Sequence, residues 1–322
     1  MNLKDLTFID LFAGIGGFHQ ALSSVGANCV YASEWDKHAA KTYYENYHIM
    51  PVGDITQIKA EDIPTHDILC AGFPCQAFSI SGKQRGFEDT RGTLFFDIAR
   101  IVAHHHPKIL LLENVKNLVK HNNGHTLSTI VSTLKELKYD VYYQVLNASH
   151  FGVPQNRERI YFVAFRQDLN VKRFHMPKPP HTPVTLIDFL EAHPDIRPIT
   201  RSDISINKSY QAETDMFGNP IAPNRPIQIG FLGKGGQGER IYHPLGHAIT
   251  LSAYGGGVGA KTGLYQINGQ IRKLTPRECA RLQGFPDNFK ITASKSQAYQ
   301  QFGNSVAIPV LKALLKEIEA IQ

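Results

Sequence analysis

Residues 7–17 read TFIDLFAGIGG. Positions 7–12 make a short, mostly apolar run of strand length, and Gly14, Gly16 and Gly17 close it with a turn that carries almost no side chains. A helical pattern follows to about Ser24. Strand, glycine turn and helix in that order predict the first unit of an α/β sheet. Such a turn lets a ligand approach the backbone closely, and the helix start offers free N–H groups. The same turn also serves as a plain connection, so the residues around it have to decide.

Outward from this unit, residues 28–33 predict a second strand and 36–47 a helix. Short apolar runs at 67–71 and 108–113 predict further strands, separated by helical spacing at 94–103 and 127–137. Residues 141–146 and 159–165 read as a closing antiparallel pair. The predicted fold class is α/β, a doubly wound, mostly parallel sheet covered on both faces. PKPP at 177–180 is stiff and helix-hostile and suits a linker. Beyond it, residues 230–263 hold 11 of the 26 glycines, interleaved with Lys234, Arg240, Tyr254 and Lys261. So many glycines predict a loop-dominated second, smaller domain that works through its surface. An amphipathic helix at 310–321 is expected to return to the first domain.

Composition narrows the class. The 322 residues are 42% hydrophobic and 19% charged, which suits a buried core rather than a disordered chain. Thirty-four Lys and Arg against 28 Asp and Glu leave a net charge of +6, which permits a polyanionic partner without requiring one. No apolar run approaches the roughly 18 residues of a membrane span. The opening MNLKDLTFID has no signal-peptide pattern, so a cytoplasmic protein is expected. The four cysteines, Cys29, Cys70, Cys75 and Cys279, form no CxxC pair, which argues against a disulfide scaffold or structural zinc. The histidines, including the run at 104–106, show no ligand spacing, and no metal is implied.

Candidate chemistry gathers at the predicted strand ends, which face the ligand crevice in this architecture. Glu34 follows the second strand at the spacing of a ribose-binding carboxylate, with Trp35, the only tryptophan, beside it. Asp54 falls where a third strand should end. Together they suggest a nucleoside cofactor, or else simple helix caps. Cys75, in GFPCQ at 72–76, is either a nucleophile or a small buried hydrophobe, whereas Cys29 and Cys70 fit the hydrophobe. Glu113, directly after Ile-Leu-Leu-Leu, is expected to be partly desolvated and so a proton donor, or else a helix cap or salt-bridge partner. Arg157 and Arg159, in QNRER, stand at the mouth of the last strand, ready for carboxylate, phosphate or base contacts.

In this order the motifs resemble those of the cytosine-5 DNA methyltransferases: FAGIGG, GFPCQAFSISG, ENV, QNRER, LTPRECARLQGFPD at 274–287 and GNSV at 303–306. The match spans nearly the whole chain. It implies an S-adenosylmethionine-dependent methyltransferase fold, with a catalytic domain at 1–187 completed by 304–322, a target-recognition domain at 188–275 and a hinge at 276–303. It implies that Cys75 adds to carbon 6 of cytosine, Glu113 stabilises protonated N3 and Arg159 holds O2, with Arg157 nearby and better suited to phosphate. For S-adenosylmethionine it implies Phe12 and Trp35 packed on the adenine, above the Gly14 and Gly16 turn. Glu34 would bind the ribose, Asp54 and Ile55 the adenine edge, and Pro74, Leu94, Asn304 and Ser305 the methionine end.

GKGGQGERIY at 233–242 and TLSAYGGG at 250–257 resemble a target-recognition segment of that family and imply GCGC in double-stranded DNA, modified at its first cytosine. Gln237 and Ser81 would fill the gap left by the flipped base. Arg240 would read a guanine, and Tyr254, Gly255, Gly256 and Gly257 would bring backbone to the remaining bases. Val258-Gly259 and the linker between about Lys178 and Asn224 depart from the pattern. The resemblance further implies a monomer in a prokaryotic cytoplasm and a restriction endonuclease as functional counterpart. Read from residues alone, a nicotinamide-dependent oxidoreductase, a non-catalytic DNA-binding module and a tRNA cytosine-5 methyltransferase stand as rivals.

Overall fold

The computed structural model describes residues 1–74, 94–180, 184–207, 210, 214, 216, 223–254 and 257–321. The chain divides into two compact units. The first holds Met1–Leu146, Glu158–Lys178 and Leu311–Gln322, the second Asn147–Arg157 and Pro179–Val310.

In the first unit β1 (Thr7–Leu11) lies between β2 (Asn28–Ser33) and β3 (Ile68–Gly72) and runs parallel to both. β4 (Ile109–Val115) extends the sheet parallel to β3. β6 (Glu158–Arg166) then runs antiparallel to β4, and β5 (Tyr139–Asn147) takes the outer edge. The sheet, in the order β2-β1-β3-β4-β6-β5, is therefore mixed, where the sequence predicts a doubly wound, mostly parallel one. Only residues 148–157 separate β5 from β6. That is short of the dozen or so residues a parallel crossover needs, so β6 comes back against β4. The strand expected to end at Asp54 shrinks to one bridge, Ser33 to Val52, because Pro51 has no N–H to extend the ladder.

Strand alternation sorts the side chains. Ile9, Leu11, Leu69, Ala71, Leu110 and Leu112 join one core with Ile98 and Val102 of α3 (Leu94–His105) and Ile130 and Leu134 of α4 (His125–Glu136). Burying each of those leucines or isoleucines contributes about 1.5–3 kcal/mol. Phe8 and Asp10 are on the alternate face, toward α1 (Gly17–Ser23) and α2 (Lys37–Tyr47). There the Phe8 ring stands edge-on to His19 at 5.5 Å, and His19 Nδ1 lies 2.7 Å from the Tyr43 hydroxyl. α2 begins at Asp36, whose Oδ1 accepts from the amides of His38 and Ala39.

The second unit holds a five-stranded sheet: β7 (Ile204–Ile206), β8 (Ile227–Leu232), β9 (Arg240–His243), β10 (Leu264–Ile267) and β11 (Gln270–Arg272), in the order β11-β10-β9-β8-β7. Ile229, Leu232, Ile241, Leu264 and Ile271 form its core. α5 (Pro276–Gln283) and α6 (Lys295–Asn304) belong to the same unit. α7 (Ile308–Glu319) is the amphipathic C-terminal helix, in the first unit from Leu311 onward.

A buried ion pair ties α5 to β11. Glu278, fully buried, receives Arg272 Nη2 on Oε1 at 2.7 Å and Arg272 Nη1 on Oε2 at 2.8 Å. The amides of Glu191, at 3.0 Å, and Thr275, at 2.8 Å, complete its shell. Removing one partner strands the other charge, so Glu278→Ala is expected to lower stability by about 3–5 kcal/mol in urea unfolding. A loss under 1 kcal/mol would mean that water reaches Arg272.

Asp10 gives a pH signature. The carboxyl is wholly buried, and burial raises its pKa well above the ordinary carboxylate range, against the opposing effect of the His19 amide and the Tyr43 hydroxyl. Below about pH 3.9 the folded and unfolded chains both carry this proton. Above that value the folded chain retains a proton the unfolded chain has lost, so stability falls as pH rises toward the folded pKa. Asp10→Asn cannot ionise. It should gain on the wild type between pH 4 and pH 7.5 in urea titrations, and a difference that stays constant with pH would refute the assignment.

Candidate active site

The chain leaves β1 for β2 on one side and reaches β3 on the other, so the crevice beyond the C-terminal ends of β1 and β3 is the switch point of the sheet. Several predicted residues collect there. Phe12, first after β1, has φ +54°, a left-handed conformation that costs a non-glycine residue about 1–3 kcal/mol. Gly14 (φ +55°) and Gly16 (φ +85°) continue the turn. A Cβ on Gly16 would fall 2.2 Å from the Tyr47 ring, and the Tyr47 hydroxyl donates to the Gly16 carbonyl at 3.0 Å. Tyr47 thus buttresses the turn from α2, a role that sequence reading missed because helical spacing marks it only as an apolar position.

Glu34 closes the turn from β2. Its Oε2 accepts from the Gly14 amide and its Oε1 from the Asp36 amide, both at 2.8 Å. Burial raises its pKa, and these two amides work against that rise. Trp35 beside it is 78% exposed, a large apolar surface left in water at a ligand crevice. Asp54 caps the 3-10 turn Ile55–Gln57 through the Thr56 amide at 3.0 Å, and Ile55 is buried. Asp54 is therefore a cap, one of the two readings its sequence allowed, and its exposed position does not prevent a second role.

Glu113 and Arg159 come together through strand register. Val115 pairs with Arg159 and Glu113 with Tyr161, so Glu113 and Arg159 are diagonal neighbours on one face. Arg159 Nε lies 3.2 Å from Glu113 Oε1, with side-chain exposures of 15% and 9%. The salt bridge that the sequence allowed for Glu113 is thus present at the end of β4. The buried Asn114, next in ENV, donates to the Phe73 carbonyl at 2.8 Å. It anchors the chain just ahead of Pro74, which is exposed, and was not singled out in the sequence. Leu94 is half-buried at the start of α3.

Arg157, only two residues from Arg159, belongs to the second unit and is buried there. Its guanidinium donates to the carbonyls of Leu251 at 3.1 Å, Gly303 at 3.1 Å and Ser305 at 2.7 Å. Asn304 is exposed and Ser305 buried. Gln237 and Arg240 are exposed, and Tyr254 is 71% exposed. The Gly259 amide donates to the Gly238 carbonyl at 2.7 Å, so the turn holding Gln237 and the segment after Gly257 abut. A Cβ at Gly259 would fall 2.6 Å from Leu264, which explains the glycine at this departure from the family pattern. Cys75, Ser81, Gly255 and Gly256 lie outside the described residues. Among the described residues no helix is long and apolar enough to cross a membrane.

The profile of the C-5 cytosine-specific DNA methylases matches residues 6–320. The type II methyltransferase M.HhaI of Haemophilus parahaemolyticus is 54% identical over 98% of this chain and 95% of its own length. M.HpaII of Haemophilus parainfluenzae is 46% identical over 98% of this chain and 90% of its own. The crystal structure of the S. pombe Dnmt2 methyltransferase shares the fold with a TM-score of 0.71 at 21% identity, covering 97% of this chain and 98% of that one.

The thiols separate by environment. Burial, then the nearby Asp10, pushes Cys29 up to about 12, and burial raises Cys70 and Cys279 well above the ordinary thiol range. A thiol reagent at pH 7.5 should therefore label Cys29, Cys70 and Cys279 slowly in the folded protein, as read by peptide mass mapping. Rapid labelling of Cys29 or Cys279 would refute this assignment.

Proposed function

Since this chain belongs to the C-5 cytosine-specific DNA methylase family, we propose that it flips a cytosine out of double-stranded DNA and methylates carbon 5 at GCGC, on the first cytosine. The observation that carries the catalytic part is the Glu113–Arg159 pair, nearly buried, at the end of the strand that follows the Cys75 loop. Two groups fixed on adjacent strands suit a planar ring that must be held and protonated at one edge.

The crevice fits S-adenosylmethionine. Trp35 offers an exposed indole face for an adenine. A carboxylate has about four acceptor positions, so Glu34 retains acceptors for ribose hydroxyls beyond the amides of Gly14 and Asp36. Phe12, Gly14, Gly16, Asp54, Ile55, Pro74, Leu94, Asn304 and Ser305 are the further residues assigned to it. When bound, S-adenosylmethionine supplies the methyl group that carbon 5 accepts.

Carbon 5 of cytosine is a poor nucleophile while the ring is aromatic. The Cys75 thiolate adds to carbon 6, which breaks the aromaticity and moves electron density toward carbon 5 and N3. Glu113 stabilises the proton on N3, and Arg159 donates to O2 while holding the Glu113 carboxylate in place. After methylation the carbon 5 proton leaves to a base, the bond to Cys75 breaks, and its electron pair returns to sulfur. Carbon 5 is inaccessible inside a duplex, so the base must first leave the stack at a cost of a few kcal/mol. Gln237 and Ser81 are assigned to the gap. Arg240 is assigned to O6 and N7 of a guanine, and Tyr254 with Gly255, Gly256 and Gly257 to the remaining bases. In this reading 1–187 with 304–322 is catalytic, 188–275 recognises the target and 276–303 is the hinge. The protein acts as a monomer in a prokaryotic cytoplasm and protects sites from a cognate endonuclease.

The test is to incubate the protein with labelled S-adenosylmethionine and plasmid DNA, or RNA, and to map 5-methylcytosine by bisulfite sequencing. Modification is expected at the first cytosine of GCGC, and another context would overturn the specificity alone. Label in RNA and none in DNA would overturn the substrate. Cys75→Ser should abolish transfer while DNA binding survives, and near wild-type turnover would remove Cys75 from the mechanism.

A further inference from the structure

Gln155 and Arg157 are buried polar side chains that serve one backbone segment of the second unit. Gln155 Oε1 accepts from the Leu251 amide at 3.1 Å, while its Nε2 donates to the Leu282 carbonyl at 2.9 Å. Arg157 donates to the Leu251 carbonyl at 3.1 Å, and its other terminal nitrogen reaches the carbonyls of Gly303 and Ser305. Both backbone groups of Leu251 are thus held by side chains two residues apart. The neighbours are held too. The Asn156 amide donates to the Ala248 carbonyl at 2.9 Å, the Ala248 amide to the Pro154 carbonyl at 2.6 Å, and the Thr250 hydroxyl to the Asn156 carbonyl.

An apolar side chain at either position would leave carbonyls or an amide buried without partners. What the pair supplies is position. Leu251 stands three residues before Tyr254, which is 71% exposed. Gly303 supports the same view independently: a Cβ there would lie 2.3 Å from the Ala253 nitrogen and 2.4 Å from the Ser252 carbonyl carbon. The end of α6 therefore presses directly on the backbone just ahead of Tyr254, and only glycine permits that approach.

We propose that Gln155 and Arg157 are positioning residues for target recognition, clamping Leu251 so that Tyr254 and Gly257 meet DNA at a fixed height above Gly303–Ser305. The assignment rests on the DNA-reading role given above to residues 254–257. It moves Arg157 out of direct contact with cytosine or phosphate and leaves that role to Arg159. A carbonyl-bound guanidinium can hold three acceptors at once through its fork, whereas a lysine ammonium in the same place cannot span them.

The experiment compares wild type, Gln155→Leu, Arg157→Lys and Gly303→Ala by three readouts: bisulfite context maps, kcat and KM for duplex DNA, and hydrogen exchange of a peptide spanning 248–253. Each variant is expected to exchange that peptide faster. Each should also raise the relative rate at sites differing by one base from the wild-type context at least tenfold, with KM rising more than kcat falls. Gly303→Ala removes no polar group and keeps the test open if Arg157→Lys folds poorly. Faster exchange with an unchanged context map would show a purely structural role. A fall in kcat with context and KM unchanged would return Arg157 to direct catalytic contact. A wild type that leaves DNA unmodified would overturn the methyltransferase reading and the clamp with it, whereas variants that keep the wild-type context overturn the clamp alone.

Discussion

Glu34 bonds with one carboxylate oxygen to the turn after β1 and with the other to the turn that starts α2. The mouth of the first unit depends on that double attachment. The turn it grips includes Phe12 in a left-handed conformation and two glycines with positive φ, none of which a short loop would hold unaided. From below, Tyr47 fills the space that any side chain on Gly16 would need. A carboxylate on one side and a phenol on the other fix the glycine turn by contacts, and preorganised groups of this kind bind a ligand at lower ordering cost.

Three strand ends, those of β3, β4 and β6, deliver the remaining groups by different means. β4 and β6 set Glu113 beside Arg159 by cross-strand register, which works only because β6 runs antiparallel. Asn114, the next residue on β4, points the other way and holds the chain leaving β3 through the Phe73 carbonyl. One dipeptide therefore serves both the Glu113–Arg159 pair and the chain leaving β3 at Phe73. In the second unit Gln155, Arg157 and Gln283 are buried amides and a guanidinium that bond chiefly to backbone groups. Such contacts specify where loops sit, and a segment with few core-forming side chains has little else to specify it.

The most legible parts of the sequence are those where chemistry and local pattern coincide. The strand and helix alternation of the first half, and the strand-end positions of Glu34, Glu113 and Arg159, were legible because period-2 and period-3.6 spacing and glycine turns are local properties. The six ordered motifs were legible through their resemblance to a known family. Where reading fell short, the deciding partner was distant in sequence. The strand expected before Asp54 is reduced to the bridge between Ser33 and Val52, and β6 lies against β4, far back in the chain, with Arg159 paired to Val115. Tyr47 and Asn114 looked like an apolar helix position and a motif neighbour until the fold brought Gly16 and Phe73 to them.

The amino-acid sequence by itself determined the family and the α/β character of the first half, since motif identity and local spacing are properties of the chain alone. Only the tertiary structure decided what each of the two arginines in QNRER does. Arg157 and Arg159 are chemically identical and two residues apart. One turns into a shell of backbone carbonyls and the other toward a carboxylate, because the second unit takes the chain through Arg157 and the first unit's sheet takes it from Glu158 onward.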